Sequence, residues 1–401
     1  MFNLEAFINE YVIHRDKSMF ADDIERNKDT LFKIIKGKTV LVIGGAGSIG
    51  SEFIKSILPY EPISLIVVDI NENGLAELTR DLRSTKGIKI PEEYIPYPIS
   101  YSSNVFKKIF LGHRGFDIVA NFSAHKHVRS EKDIYSIEAL MENNVLQAQM
   151  LLDLLSIFPP EMYFCVSTDK AANPVNIMGA SKRIMEDLIF SYSDLFPVKT
   201  ARFANVAFSN GSLPAGFLAR LQKKQPLTGP SDIKRYFVSG EESGQICLLA
   251  CALGNNREIF FPKLQESQMM SFEEIGKHLL EAQDYIPLEC KSDKEAIDRT
   301  ENVKNGGKLY PVYFSISDTS GEKKYEEFYT GNEIIDLTRF SSLGVITEIK
   351  KPNRKAILDL LNTLRELFEK GTDKGRIVSV LENYLSDFHH IETEKSLDSK
   401  M

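Results

Sequence analysis

A cationic excess is missing from this sequence: 49 lysines and arginines face 56 aspartates and glutamates, for a formal charge of -7. Proteins that grip DNA or RNA through the phosphate backbone normally carry a basic patch or tail, so nucleic acid is excluded as the dominant partner, although a local basic pocket is not. Cysteine is scarce as well. Of Cys165, Cys247, Cys251 and Cys290, none forms a CxxC pair, and Cys247 and Cys251 lie in an apolar helix-like run over residues 245–253, which reads as buried free thiols. His125 and His127 flank Lys126, but alternate residues of a strand point to opposite faces and no cysteine or carboxylate cluster completes a site, so no metal is expected. Nothing approaches the roughly 20 apolar residues of a membrane span. Residues 1–15 carry acidic groups and lack the apolar stretch of a signal peptide, and the expected location is the cytoplasm.

What is present is an ordinary globular composition, 43% hydrophobic and 26% charged over 401 residues, enough for one large domain or two fused ones. Residues 1–36 place apolar side chains at helical spacing (Leu4, Phe7, Ile8, Tyr11, Val12) before Lys36-Gly37-Lys38 stops the pattern. A strand over residues 40–43, a glycine turn, a helix over 51–58 and a strand over 65–69 then make a βαβ unit. Further apolar runs at 117–122, 162–167 and 199–205 alternate with helical stretches at 136–155 and 179–192. The expected fold is α/β: a Rossmann-type, doubly wound parallel sheet with a smaller, mixed α/β substrate lobe and an N-terminal helical extension. The expected division is residues 1–37 for the extension, 38–205 for the dinucleotide-binding domain, 206–345 for an interwoven substrate lobe, and 346–401 for a C-terminal helical region and tail.

Gly44, Gly47 and Gly50 stand between a strand and a helix, where glycines permit a tight turn and bring backbone amides to a pyrophosphate at the helix N-terminus. Asp69 ends the next strand, 19 residues after Gly50, where a carboxylate accepts from ribose hydroxyls and repels a 2′-phosphate, so NAD is expected rather than NADP unless Arg80 or Arg83 folds across. The expected cofactor contacts are Gly44, Gly47, Ser48, Ile49, Gly50, Asp69, Asn71, Ser123, Ala124, Lys126, Asn144, Ser167 and Lys182. For Asn144 a backbone-linking role stands beside the cofactor role, and for Lys126 a solvated loop position.

The strand over residues 162–167 runs into Thr168-Asp169-Lys170, placing a hydroxyl, an acid and an amine at the carboxyl edge of the sheet, where such folds bind ligands. Lys182 follows Lys170 by 12 residues, in the next helix. The run Ser167-Thr168-Asp169-Lys170-Ala171-Ala172-Asn173-Pro174, continuing to Lys182, resembles the nucleotide-sugar 4,6-dehydratases of the extended short-chain dehydrogenase/reductase superfamily, in particular bacterial UDP-N-acetylglucosamine 4,6-dehydratases. Ser123 to Val128 resembles the family's Ala-Ala-x-Lys-His-Val, Arg202 to Val206 its Arg-Phe-Gly-Asn-Val, and Lys234 to Phe237 its Thr-Arg-Tyr-Phe, so the similarity covers residues 38–263. The sequence departs from most short-chain dehydrogenases at Met178, where a proton-carrying tyrosine is usual, as some of these dehydratases do, and from the dehydratase pattern at Ala204 for glycine and Asn210 for arginine.

The resemblance implies NAD-dependent 4,6-dehydration of a nucleotide-activated N-acetylhexosamine, most directly UDP-N-acetylglucosamine, for polysaccharide or glycan biosynthesis. In that scheme Lys170 is the base at sugar carbon 5, made partly neutral by burial and by the charge of Lys182. Asp169 protonates the departing carbon 6 hydroxyl, Thr168 bonds near the carbon 4 oxygen, and Met178 stands in the catalytic row without a proton to give. Asn205, Ser212 and Arg235 would face the nucleotide diphosphate, the guanidinium bonding it bidentately. A homo-oligomer, paired through helices such as 136–155, is part of the same implication. GDP-N-acetylglucosamine as substrate, a nucleotide-sugar 4-epimerase, and a non-catalytic NAD-binding protein are the competing readings.

Overall fold

The computed structural model describes residues 2–318 and 320–392; the end of the expected tail, 393–401, lies outside the described residues. Six strands follow one another in the first half of the chain: β1 (Thr39–Ile43), β2 (Ser64–Asp69), β3 (Glu93–Pro98), β4 (Ile118–Asn121), β5 (Met162–Thr168) and β6 (Val198–Phe203). They are joined by β7 (Glu258–Pro262), β8 (Ile334–Asp336) and β9 (Leu343–Thr347) in one sheet of order β8-β9-β7-β6-β5-β4-β1-β2-β3. Strands from β3 to β7 pair in parallel, and β9 runs antiparallel to both its neighbours. Thr-Val-Leu-Val-Ile of β1 and Met-Tyr-Phe-Cys-Val of β5 are buried on both faces, as continuous apolar strands must be when helices cover both sides.

Chain order reverses between β1 and β4, so the crevice outside their carboxyl ends is the topological switch point, where ligands of such sheets sit. Three helices bear on it: α1 (Ser48–Ile57) after the glycine turn, α2 (Ile177–Ser191) after β5, and α3 (Gly240–Leu253), which packs along α1. A Cβ at Gly244 would lie 2.3 Å from the Glu52 carbonyl oxygen, so glycine is what lets α3 approach α1 this closely.

The division along the chain is more interleaved than the boundary at residue 205 expects. Although residues 206–238 leave for the small lobe, α3, β7, β8 and β9 return to the large sheet, because their apolar residues (Ile259, Phe260, Val345, Ile346) complete the same core. The small lobe has its own core of Phe217, Leu227, Phe237, Ile275, Leu279 and Val312, with a three-stranded sheet formed by Leu227–Pro230, Ile286–Glu289 and Leu309–Ser315. The N-terminal extension is helical and bridges both parts. Phe7, Val12 and Ile13 join the small core, while Arg15 clasps the fully buried Glu242 of α3 at 2.6 and 2.7 Å.

Two local expectations are corrected. Residues 122–127 are irregular, so His125 and His127 do not alternate across a strand. The helix expected over 136–155 is broken into Ile134–Met141, a π-helical turn at Glu142–Leu146, and Gln147–Leu155. That π turn carries Asn144 inward to accept from the His125 amide at 2.8 Å and donate to the His125 carbonyl at 2.9 Å. Among the described residues no helix is long and apolar enough to cross a membrane, and no group of His, Cys, Asp and Glu is arranged to hold a metal ion.

Candidate active site

The carboxyl ends of β1, β4 and β5 open into one cavity of about 900 Å³ whose opposite wall comes from the small lobe. Gly44, Gly47, Ser48, Ile49 and Gly50 line it. Gly44 adopts φ +75°, and a Cβ there would stand 2.7 Å from the Ser123 amide nitrogen; one at Gly50 would stand 2.3 Å from the Gly44 carbonyl oxygen. Strand, turn and helix can meet this tightly only through glycine. Gly47, at the N-cap of α1, offers no side-chain acceptor, which leaves the first amides of the helix for an anion. These features fit a dinucleotide pyrophosphate.

Around that turn the expected contacts sort into two groups. Ala124, Lys126, Ser167 and Lys182 line the cavity. Asp69 stands at the end of β2 with its oxygens accepting from the amides of Ala46 (3.0 Å) and Asn71 (2.9 Å), each oxygen keeping a further lone pair for a ribose hydroxyl. Arg80 pairs with Glu77 and does not cover Asp69. Asn71 caps the next helix through the Gly74 amide, Ser123 donates to Asn143, and Asn144 links the His125 backbone to Ser181. These three side chains are committed to the fold. Lys126 is exposed, as a solvated loop position expects, but not free: its amine donates to the Asn210 carbonyl at 2.8 Å while the Asn210 amide donates to Ser48 Oγ at 2.9 Å. The loop at Asn210, where the family resemblance breaks, is thereby tied to the glycine turn.

The end of β5 and the turn after it bring Thr168 and Lys170 to the same wall, with Asp169 buried between them. Thr168 Oγ1 donates to Asp169 Oδ1 at 2.8 Å, and Lys170 Nζ lies 3.1 Å from that oxygen. Behind β5, Ser167 donates to Glu186, itself held by the fully buried Arg202, which fixes the strand end from below. Lys182 is buried on α2 with Nζ donating to the Val166 carbonyl at 2.8 Å, and burial lowers its pKa. Met178 forms part of the cavity wall while its amide donates to Glu131 Oε1 at 3.1 Å.

The sequence reading missed Glu326. It is buried, 3.5 Å from Lys170 Nζ and 3.7 Å from Arg235 Nη2, whereas its neighbour Glu327 is exposed and bonds Asn173. Two adjacent glutamates in a charged stretch give no local signal to tell them apart. Glu326 also overturns the expected electrostatics of Lys170. Burial pushes the Lys170 amine down, but the carboxylates of Asp169 and Glu326 outweigh it and hold the pKa above the ordinary lysine value; Arg235, not Lys182, is the opposing cation. Arg235 lines the cavity with its Nη1 committed to the carbonyls of Lys234, Lys323 and Lys324 at 2.9 to 3.3 Å, so a bidentate bond to a ligand would have to use its Nε–Nη2 edge. Asn205 and Ser212 both line the cavity. Ser212 caps the helix Leu213–Gln222, and the Asn205 side-chain amide nitrogen is buried without a hydrogen-bond partner, a vacancy that a polar ligand atom would fill.

Comparison with known proteins gives the family. The family described as polysaccharide biosynthesis protein matches residues 40–340. A capsular polysaccharide biosynthesis protein of Staphylococcus aureus is 27% identical over 77% of this chain, and the chain spans half the length of that relative. An inverting UDP-N-acetylglucosamine 4,6-dehydratase of Campylobacter jejuni is 24% identical over 76% of the chain and 85% of the relative. A UDP-glucose 4-epimerase of Rickettsia bellii is 28% identical over 87% and 91%. Among solved structures, Pen from Bacillus thuringiensis shares the fold with a TM-score of 0.64 at 19% identity, over 82% of this chain and 98% of its own. The chain belongs to the polysaccharide biosynthesis protein family, within the extended short-chain dehydrogenase/reductase lineage of nucleotide-sugar dehydratases and epimerases.

Proposed function

We propose that this protein removes water across carbons 4 to 6 of a nucleotide-activated N-acetylhexosamine, UDP-N-acetylglucosamine foremost, with NAD as a cofactor regenerated in each turnover. One observation carries the reading: a half-buried hydroxyl and amine, Thr168 and Lys170, on the wall of the same cavity as the glycine turn, both bonded to the buried carboxylate of Asp169 between them. A pure oxidation and reduction at carbon 4 has no need of such a proton-moving pair.

Gly44, Gly47, Gly50 and the first turn of α1 would hold the cofactor pyrophosphate, and Asp69 the adenosine ribose. When bound, NAD supplies the hydride acceptor for the hydrogen at carbon 4 and returns it to carbon 6. The protein's own residues manage the protons. Lys170 first passes a proton to Asp169, across 3.1 Å, leaving a neutral amine beside a protonated carboxyl. The amine then takes the carbon 5 proton; the electron pair forms the carbon 5–carbon 6 double bond as the carbon 6 oxygen leaves, and Asp169 supplies the proton that completes water. Lys170 finally returns its proton to carbon 5, and the proton given up by the carbon 4 hydroxyl on oxidation recharges the amine, which restores the starting state. Asn205, with its vacant buried donor, would hold a polar atom of the nucleotide part.

The epimerase reading stays in view because the rickettsial relative covers more of the chain than the dehydratase does. Against it stands Met178, a thioether on the cavity wall where an epimerase wants a tyrosine. Incubation of the purified protein with UDP-N-acetylglucosamine, with and without added NAD, separates the two. Dehydration gives a product lighter by one water in the mass spectrum, and Lys170→Ala abolishes it. A product of unchanged mass with inverted carbon 4 means an epimerase, and reaction only with GDP-N-acetylglucosamine moves the nucleotide assignment.

A further inference from the structure

Glu326 comes from a segment outside every sheet, yet it is 4% exposed and meets the catalytic pair. Burying a carboxylate costs several kcal/mol unless partners offset it, so its position next to Lys170 and Arg235 demands an account. Four charged groups converge: Asp169 and Lys170 from the end of β5, Arg235 from the small lobe, and Glu326, with Lys323 on its own segment adding a weaker positive influence. The same segment is anchored by Arg235, which binds the carbonyls of Lys323 and Lys324.

Resting on the dehydration reading, we propose that Glu326 is a positioning residue of the active site: it shares the Lys170 ammonium with Asp169 and governs when that amine is free to accept a proton. With Glu326 ionised, Lys170 faces two carboxylates and remains an ammonium. With Glu326 protonated, Lys170 faces one carboxylate and the repulsion of Arg235, and releases its proton more readily. Burial pushes the Glu326 carboxyl upward and Asp169 adds to it, while Lys170 and Arg235 pull the other way; the net direction is up, so its change of charge falls above the ordinary glutamate range. Charge on this one side chain therefore sets the proton-accepting state of a group it never needs to exchange with substrate.

The test follows Lys170 itself. The folded parent and Glu326→Gln are pulse-labelled with trace acetic anhydride across pH, and acetylation is quantified on the peptide containing Lys170; only the neutral amine reacts. In E326Q Lys170 labels about tenfold faster at neutral pH, since one of two adjacent negative charges is gone. Equal labelling in the two proteins overturns the proposal. If E326Q does not fold, Glu326→Asp, which draws the carboxylate back by one methylene, is read the same way: faster labelling supports the proposal and equal labelling overturns it. In turnover, the ascending limb of kcat against pH shifts to lower pH in E326Q, which a merely structural loss would not produce. Because labelling needs no substrate, its outcome stands apart from the dehydration reading, whose own failure would show as no loss of water in the parent.

Discussion

Nε2 of His390 lies 3.1 Å from Glu131 Oε2, joining two buried side chains 259 residues apart. The other Glu131 oxygen accepts the Met178 amide, so the end of the chain reaches the first turn of the helix that carries Met178 and Lys182. Backbone bonds reinforce the strap: the Ile391 amide donates to the Val175 carbonyl at 2.9 Å and the Gly321 amide to the Ile391 carbonyl at 3.0 Å. The tail thus ties together the loop after Lys170 and the segment that leads to Glu326. His390→Ala leaves Glu131 buried with one partner fewer, at an expected cost of about 1–3 kcal/mol. Denaturant unfolding checks the loss, and a midpoint unchanged from the parent would place the strap outside the cooperative unit.

The glycine turn makes a second prediction. Gly50→Ala forces a Cβ to 2.3 Å from the Gly44 carbonyl oxygen, a backbone atom that cannot swing aside. The helix must back away from the turn, at about 1–3 kcal/mol, and the pyrophosphate cradle opens with it. Calorimetric titration with NAD reads the effect as weakened binding. Gly87→Ala, at a site with nothing within 4 Å but a positive φ, serves as the control that changes backbone strain without touching the cradle.

Much of this was open to sequence reading, and what was not has physical causes. The strands β1, β2, β4, β5 and β6 announce themselves as buried apolar runs, and Gly44 to Gly50 with Asp69 define the cofactor crevice by spacing alone. Local pattern carries no information about which distant strands complete a sheet, so the return of β7, β8 and β9 was invisible. The same holds for charge: Glu326 and Glu327 are identical in kind and adjacent, and only the tertiary fold buries one beside Lys170 and leaves the other in solvent. Asn144 and Arg235 were legible as polar groups near the site, but whether a side chain serves a ligand or the backbone depends on which carbonyls and amides fold against it.

Met178 tests whether its position contributes a proton or only a surface. The side chain is buried in the cavity wall, and methionine has no proton to move. Met178→Leu, a volume-conserving exchange, costs less than about 1.5 kcal/mol and keeps turnover of the nucleotide sugar within roughly tenfold of the parent. Steady-state kinetics on the two proteins decides. A loss comparable to that of Lys170→Ala would show that the thioether has a chemical role.

Lys182 offers a prediction in pH. Burial lowers its pKa in the folded protein, so between that value and its unfolded value near 10.4 the unfolded chain binds the extra proton. The sign follows from linkage: with more protons bound in the unfolded state, this group makes stability rise with pH through that window, and its full penalty is present below the folded value. Lys182→Met removes the buried ammonium together with its bond to the Val166 carbonyl. The stability of the variant relative to the parent is therefore highest at neutral pH and declines as pH is raised toward the unfolded value near 10.4, above which the parent lysine is neutral in both states. Urea midpoints of the two proteins measured from pH 7 to pH 10 give the slope directly, and a difference that stays constant or grows with pH means Lys182 keeps its ordinary affinity for a proton inside the fold.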